Sequence, residues 1–424
     1  MNKIINFGAM LTIAAGAVTF NSSCSSNDVP SYDPSAEKTA LYQENFVKTF
    51  GNIDPKNDWG FGQDIPCAPK PTKGVNANAN EWGGYVEVPE PLTEAQIATV
   101  TSWFATHPNP QGIAVNWSDF FVQQVSSTDY GKNMDKLTCG KAEEHINNFN
   151  GGDGSTNGNV CYWQDPNDQN NRLYRSDKIQ FMVNSSTECF GYHESRGTFN
   201  QQYNDKYVII PGSMIDSSVA GMYFVGFDYN SSKGPNSPEN INADGYYNDW
   251  IVKITPGLYK GQRIMCEDLG TTADFDFNDI VIDVYNDWSG YPGNWGGATI
   301  VTVRAAGGTL PATVAGKDIH KLFGVDTKDM VNTGIKTAPV AIFRIPQVNN
   351  AKDIQIVVGN DGGTWELKTA TGAAPQKILV PSTTKWSKEY KNIVKSYPDF
   401  EKYVQNAADN GQWYNNIADN NELY

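Results

Sequence analysis

Residues 273–284 read ADFDFNDIVIDV, and thirty residues earlier 243–254 read ADGYYNDWIVKI. Laid over one another, both place Asp second, an aromatic fifth and Asn-Asp sixth and seventh, before a run of β-branched or aromatic residues. A turn-forming polar stretch that leads straight into such a run, used twice, is a loop-to-strand device. Outward from it, from Lys178 onward, further strand-like runs are separated by turn residues: IQFMV, KYVII, GMYFVGF, DWIVKI, DIVIDV, ATIVTVR, APVAIFRI and DIQIVV. No helical pattern intervenes. The expected fold class is therefore mainly β, an antiparallel β-sandwich or jelly-roll-like region with a few peripheral helices. Ile280, Ile282 and Val284 alternate with Val281 and Asp283, the pattern of a half-buried strand.

The second copy of the device is rich in oxygen ligands. Asp274, Asp276 and Asn278 fall at i, i+2 and i+4, Asp279 follows, and Glu267-Asp268 precede them. A hard cation such as Ca²⁺ needs 6–8 oxygen ligands at about 2.3–2.6 Å, which carboxylates, Asn and backbone carbonyls supply. The loop is not an EF-hand, because Asp279 stands at the sixth position, where Gly is needed, and Tyr285 at the twelfth, where Glu is needed. In the first copy Tyr246 replaces the middle acid, leaving Asn242, Asp244, Asn248 and Asp249, with Asp228 as a further candidate. That copy is expected to bind more weakly or to share ligands. The competing reading is that these Asp and Asn side chains only build Asx-turns and bond local backbone.

Two helices are expected before the strands. Residues 37–50 (EKTALYQENFVKTF) place Leu41, Phe46, Val47 and Phe50 at helical spacing. A second helix starts at Thr93, which forms a capping-box pattern with Gln96, runs through Ile97, Val100 and Trp103-Phe104, and stops at Pro108. Residues 148–171 read as a long polar loop. The tail from Trp386 returns to helical, aromatic-rich character.

Composition excludes some functions. A formal net charge of −15 and pI near 4.7 leave no basic stripe for nucleic acid or an anionic membrane surface. Mean hydropathy of −0.49, 12% aromatics and 39 glycines suit polar turns around aromatic-rich strands. At the start, Lys3, the apolar run 4–20 and Asn21-Ser22-Ser23-Cys24 have the order of a signal peptide, too short for a bilayer span. Two cleavages are open. One falls before Cys24 and leaves a lipidated cysteine followed by a polar tether from Ser25, which would hold the chain on the outer membrane. The other falls after Ala15-Gly16-Ala17. Cys67, Cys139, Cys161, Cys189 and Cys266 contain no CxxC, so neither a zinc site nor a thioredoxin-type motif is supported. Cys139 with Cys161 is the candidate bridge in an oxidising compartment.

The stretches CEDLGTTADFDFNDIVIDV and ATIVTVRAAGGTLPATVAGKDIHKLFGV resemble the LruC domain of exported lipoproteins in Gram-negative bacteria. The resemblance rests on Glu267-Asp268-Leu269, Asp274 to Val281, Gly307 to Pro311 and Ile319-His320, with support from FVKTFGNIDPKNDWGFG at 46–62 and Tyr397-Pro398-Asp399-Phe400. It implies an exported lipoprotein with a β-rich calcium module, and it implies no reaction. Four regions follow: a signal peptide at 1–23, a tether with a short helical segment at 24–80, a mixed α/β region with the long polar loop at 81–177, and at 178–424 a LruC-like β-sandwich with both acidic loops and a helical tail.

Catalytic grammar is sparse. His107, His145, His193 and His320 show no HExxH, GxSxG or Cys-His arrangement, and no GxxxxGK occurs. His320 is read as a structural histidine hydrogen-bonded in a turn. The leading expectation is a calcium-stabilised binding or adhesion module of the cell envelope, with a glycan or a surface protein as partner. Trp163, Trp288, Trp295 and Trp413 are candidate loop aromatics for such a ligand. The alternatives are a fimbria-like subunit that pairs through sheet edges and, last, a glycan-acting hydrolase, whose acid pair would be invisible among 47 acids.

Overall fold

A computed structural model describes residues 36–67, 90–117, 119–127, 137–138, 162–164, 171–175, 191–192, 206–228, 244–258, 260–287 and 298–424. Cys24 with the rest of the leader, the run IQFMV, and Cys139, Cys161 and Cys189 lie outside these residues, as do His145, His193, Trp288 and Trp295. All described residues belong to one unit, Pro34–Tyr424.

The first two elements are helices, α1 (Ala36–Phe50) and α2 (Glu94–Thr106). Thr93 caps α2 as expected: its hydroxyl accepts from the Gln96 backbone, and the Gln96 side chain accepts from the Thr93 backbone. On α1 the buried stripe runs through Tyr42, Phe46 and Phe50, while Leu41 is 47% exposed. The expected stripe was thus one residue out of phase at its start. Tyr42 can be buried because its hydroxyl donates to the Pro375 carbonyl at 2.8 Å, which removes the cost of hiding an unpaired phenol.

Short strands follow: β1 (Asn116–Trp117), β2 (Asp119–Ser127), β3 (Leu137–Thr138), β4 (Tyr162–Gln164), β5 (Asn171–Arg175), β6 (Gly191–Tyr192) and β7 (Lys206–Pro211). β4 lies within the segment expected to be a polar loop. Then come β8 (Tyr223–Asp228), β9 (Trp250–Pro256), β10 (Gln262–Cys266), β11 (Ile280–Asp287) and β12 (Ala298–Ala305). The chain continues with β13 (Ala312–Val314), β14 (Lys317–Asp318), α3 (Ile319–Phe323), β15 (Ala341–Pro346), β16 (Ile356–Asn360), β17 (Gly363–Glu366) and β18 (Lys377–Pro381). It closes on α4 (Phe400–Gln405) and α5 (Ala407–Asn410).

The fold is mainly β. One six-stranded sheet runs β1-β15-β12-β11-β10-β18, and a second runs β4-β5-β2-β9-β8-β7. A four-stranded sheet (β14-β13-β16-β17) and the pair β3-β6 complete the set. Pairing is antiparallel except between β1 and β15. The second sheet joins β2 to β9 and so crosses the expected boundary at 177/178. The first six-stranded sheet and the four-stranded sheet share a single core, in which Ile264, Ile282 and Val303 meet Val314, Ile356 and Val358. Sheet packed on sheet buries the apolar face of each.

Two features differ from expectation. β11 is a central strand, buried along Ile280 to Asn286, and not half-buried. Asp283 tolerates this because Arg263 grips it with Nε at 2.6 Å and Nη2 at 2.9 Å, and Arg304 Nε adds a third contact at 2.6 Å. Residues 36–67, assigned from sequence to the tether region, are packed into the core. Tyr42, Phe46, Phe50, Trp59, Phe61 and Ile65 all belong to the main cluster.

Candidate metal centre

The second acidic loop connects β10 to its antiparallel neighbour β11, with Cys266 opposite Ile280 at the last pair. Its backbone is unusual. Phe275 and Phe277 have φ of 51° and 53°, the left-handed region that bulky residues avoid, at about 1–3 kcal/mol each. Packing holds them there. The Phe275 ring lies 5.4, 5.5 and 5.2 Å from those of Tyr42, Phe46 and Phe50 on α1, and Phe277 lies 5.8 Å from Phe400 on α4. With the aromatics anchored in the core, the intervening Asp274, Asp276 and Asn278 are left to the polar side of the loop.

Backbone amides organise the carboxylates. Phe277 N–H donates to Glu267 Oε1 (2.7 Å), Asp268 N–H to Asp279 Oδ2 (2.7 Å) and Gly270 N–H to Asp268 Oδ1 (2.6 Å). Asp276 accepts from Asn278 N–H (3.3 Å) and from Tyr390 N–H (2.8 Å). The Thr271 hydroxyl and the Phe275 amide donate to Asp274. Glu267, Asp268, Asp276 and Asn278 are buried, whereas Asp274 and Asp279 are partly exposed.

These amides do not neutralise the charge. Burial, reinforced by Asp276 and Asp274, holds the Glu267 carboxyl well above the usual range. Burial and then Asp268 and Glu267 do the same to Asp279, and burial raises Asp268. Asp276 is pushed up to about 8, first by burial and then by Asp274 and Glu389. Burial likewise lifts Glu389, to about 7. Several carboxyls that resist ionisation in one place will hold protons or a cation.

Sequence reading missed Glu389. It is only 8% exposed and sits on the segment before α4, more than a hundred residues from the loop, where no local spacing announces it. Its Oε2 has no hydrogen-bond partner, and neither has the Oδ1 of Asn278, which is 0% exposed. A Cβ built on Gly307 would stand 2.3 Å from Asn278 Oδ1 and 2.8 Å from Glu389 Oε2, so these orphaned oxygens lie within about 5 Å of each other. A Cβ on Gly308 would meet Asp268 Oδ2 at 2.3 Å. The Gly307-Gly308 pair is the backbone floor of the site, tied down by amide bonds to the Asn278 and Asp279 carbonyls, each 3.2 Å long.

Among the described residues no three Asp, Glu, His or Cys side chains already converge on one point. The converging unsatisfied atoms are a mixed pair, one amide and one carboxylate oxygen. Both are hard oxygen donors of the kind Ca²⁺ takes, and further carboxylates surround them. The residues present fit that ion.

The first acidic loop joins β8 to β9 and is built differently. Asp228, 1% exposed, accepts from Asp244 N–H (3.2 Å) and Gly245 N–H (3.0 Å) through its two oxygens. Asp244 Oδ1 accepts from Tyr246 N–H at 2.8 Å, an Asx-turn, and Asp249 N–H donates to the Phe227 carbonyl. Asn248 is half-buried. Asp228 is thus brought to Asp244 within this loop, while Asn242 lies outside the described residues.

Other candidates changed character. Trp413 is core, 4.9 Å from Phe400 and 5.3 Å from Tyr397, and not an exposed platform. Trp163 is described only as part of β4. His320 is buried on α3 beside the Gly308 backbone, and burial lowers its pKa. His107 is exposed and stacks on Trp103 at 4.5 Å. Among the described residues no helix is long and apolar enough to cross a membrane.

No family model matches the sequence, and no curated protein matches it significantly. A solved structure with which the chain aligns is that of a "Putative lipoprotein from Bacteroides ovatus", at 13% identity and a TM-score of 0.27, over 52% of this chain and 93% of that one. An alignment that loose carries no argument about fold or role.

Proposed function

We propose that the chain is an exported cell-envelope lipoprotein that acts as a calcium-stabilised binding or adhesion module. The cation site is the β10–β11 loop, with Glu267, Asp268, Asp274, Asp276, Asn278 and Asp279 as its ligand pool. One observation carries the reading: the fully buried Asn278 Oδ1 lacks any partner, in a pocket of carboxyls whose burial and mutual repulsion disfavour ionisation. A bound Ca²⁺ would satisfy that oxygen and hold the carboxylates ionised. Its role is structural, because the loop it would tie lies over the aromatic core. The resemblance to LruC-domain lipoproteins, in the acidic element and in the Gly-Gly-Thr-Leu-Pro stretch, supports the same reading, as does the leader ending at Cys24. A glycan ligand would find at the rim of the site Tyr390, 61% exposed beside Asp276.

Thermal melts with calcium and with EGTA test the cation. The midpoint should rise with calcium, by about 3 kcal/mol of stability at a hundredfold excess over Kd. The Asp276→Ala plus Asp279→Ala variant should show no calcium response. An identical midpoint for the wild type in both buffers ends the proposal. Radiolabelled palmitate should enter the wild type and not Cys24→Ala.

A further inference from the structure

Glu389 belongs neither to the acidic loop nor to any motif in the sequence, yet its carboxylate closes the site from above. Its own backbone is fixed elsewhere, since its N–H donates to the Thr333 carbonyl at 2.9 Å. The next residue, Tyr390, has φ of 60° and is exposed, so the chain turns there with Glu389 inward and Tyr390 outward. On either side the tail is hydrogen-bonded to the loop. Asn278 Nδ2 donates to the Ser387 carbonyl (3.1 Å), Tyr390 N–H to Asp276 Oδ2 (2.8 Å) and Ile393 N–H to the Phe275 carbonyl (2.9 Å). Between these bonds Asn278 Oδ1 and Glu389 Oε2 face the same point above Gly307, and neither has a partner. A buried carboxylate oxygen with no donor is costly, and two acceptors facing each other cannot satisfy one another. A proton on Glu389 or a cation seated between them would relieve both, and the oxygens around that point are the hard donors a divalent cation takes.

We infer that Glu389 is a ligand of the same divalent cation as Asn278, and that the cation thereby fastens residues 387–390 to the β10–β11 loop. This rests on the calcium reading above and adds a regulatory consequence. Calcium sets more than stability: it decides whether the C-terminal segment is docked. With the cation, Glu389, Asn278 and the loop acids share one positive centre. Without it, Asn278 Oδ1 and Glu389 Oε2 are left facing each other, and the hydrogen bonds at Ser387 and Tyr390 hold the segment alone. Ile393, Tyr397 and Phe400 pack behind this clasp, so loosening it reaches the aromatic core through the tail.

The test uses the purified full chain, stripped with EGTA and titrated with calcium chloride alone. Affinity is read by calorimetry, and hydrogen exchange is followed at 267–279 and 386–396. Wild type should bind, with calcium slowing exchange in both segments. Glu389→Gln should bind roughly tenfold or more weakly and lose protection at 386–396 first. Glu389→Asp should fall between them, which keeps the test alive if the Gln variant misfolds. Glu401→Gln, an exposed acid of α4, should match wild type. Wild-type affinity and protection in both Glu389 variants overturns this inference while leaving the calcium site standing. No binding by the wild type overturns both.

Discussion

The two acidic loops share a layout and differ in what they leave unsatisfied. Each joins neighbouring antiparallel strands, and each places Asn-Asp immediately before the first paired residue of the second strand, Trp250 opposite Phe227 and Ile280 opposite Cys266. Each also has a buried acid at the end of the first strand, Asp228 as its last residue or Glu267 just after it, that accepts amides from its own loop. In the β8–β9 loop Asp228 and Asp244 accept from local backbone amides, as in a turn. In the β10–β11 loop the amides are again used, but Asp276 replaces Tyr246, two Phe residues are forced into left-handed conformations, and Glu389 arrives from the tail. One sequence device thus leads into an Asx-turn in the first loop and into a crowd of buried carboxyls in the second.

The largest expected effect is the pH response of the β10–β11 loop. The folded-state carboxyls of Asp276, Glu389, Glu267 and Asp279 are raised above their unfolded values, so the native state binds more protons than the unfolded chain between those values. Cation-free protein should therefore be most stable near pH 4–5 and lose stability as pH rises through about 7 and 8. Melts in EGTA from pH 5 to 8.5 should show this fall, and saturating calcium should flatten it. A flat profile in EGTA would mean the carboxyls are not crowded.

Gly307→Ala should come next. Its Cβ would sit 2.3 Å from Asn278 Oδ1, so about 1–3 kcal/mol of stability should go, together with calcium affinity. Denaturant titration with and without calcium reads both. In the first loop, Asp228→Ala should cost about 1–2 kcal/mol by stranding two amides, by the same amount with and without calcium. A calcium-dependent loss there would point to a cation at the β8–β9 loop. The smallest effect belongs to Asp244→Asn, which keeps the Asx-turn and should change stability by less than about 0.5 kcal/mol.

Much of this was legible from local pattern. The Thr93–Gln96 cap, the strand runs at β7, β8, β9, β11, β12, β15 and β16, and the loop-to-strand repeat all announce themselves within a dozen residues. What failed depends on distant partners. β10 (QRIMC) hides because Arg263 is buried only when Asp283 receives it, and β18 (KILVP) because its lysine is buried beside Phe61 from near the chain's start. Tyr42, Phe46 and Phe50 fall at i, i+4 and i+8, so the buried stripe was legible once the polar Tyr42 is granted a partner, which the Pro375 carbonyl supplies. Trp413 reads as a loop aromatic until Tyr397 and Phe400 close on it. Glu389 is one acid among 47, and only the loop it reaches distinguishes it.

The seating of Phe275 between α1 and the tail also sets a timetable. Gln405 donates to the Phe50 carbonyl across 355 residues of chain, and Tyr42 reaches Pro375 across 333. At roughly 5–20 residues per second of synthesis, α1 waits about twenty seconds to a minute for its partners to exist. Until then Tyr42, Phe46 and Phe50 have Trp59 nearby but lack the tail that closes over them, and contacts of such long range close slowly. The stretch that begins the core is therefore among the last to become part of it, and any chaperone that guards this chain has α1 to hold throughout.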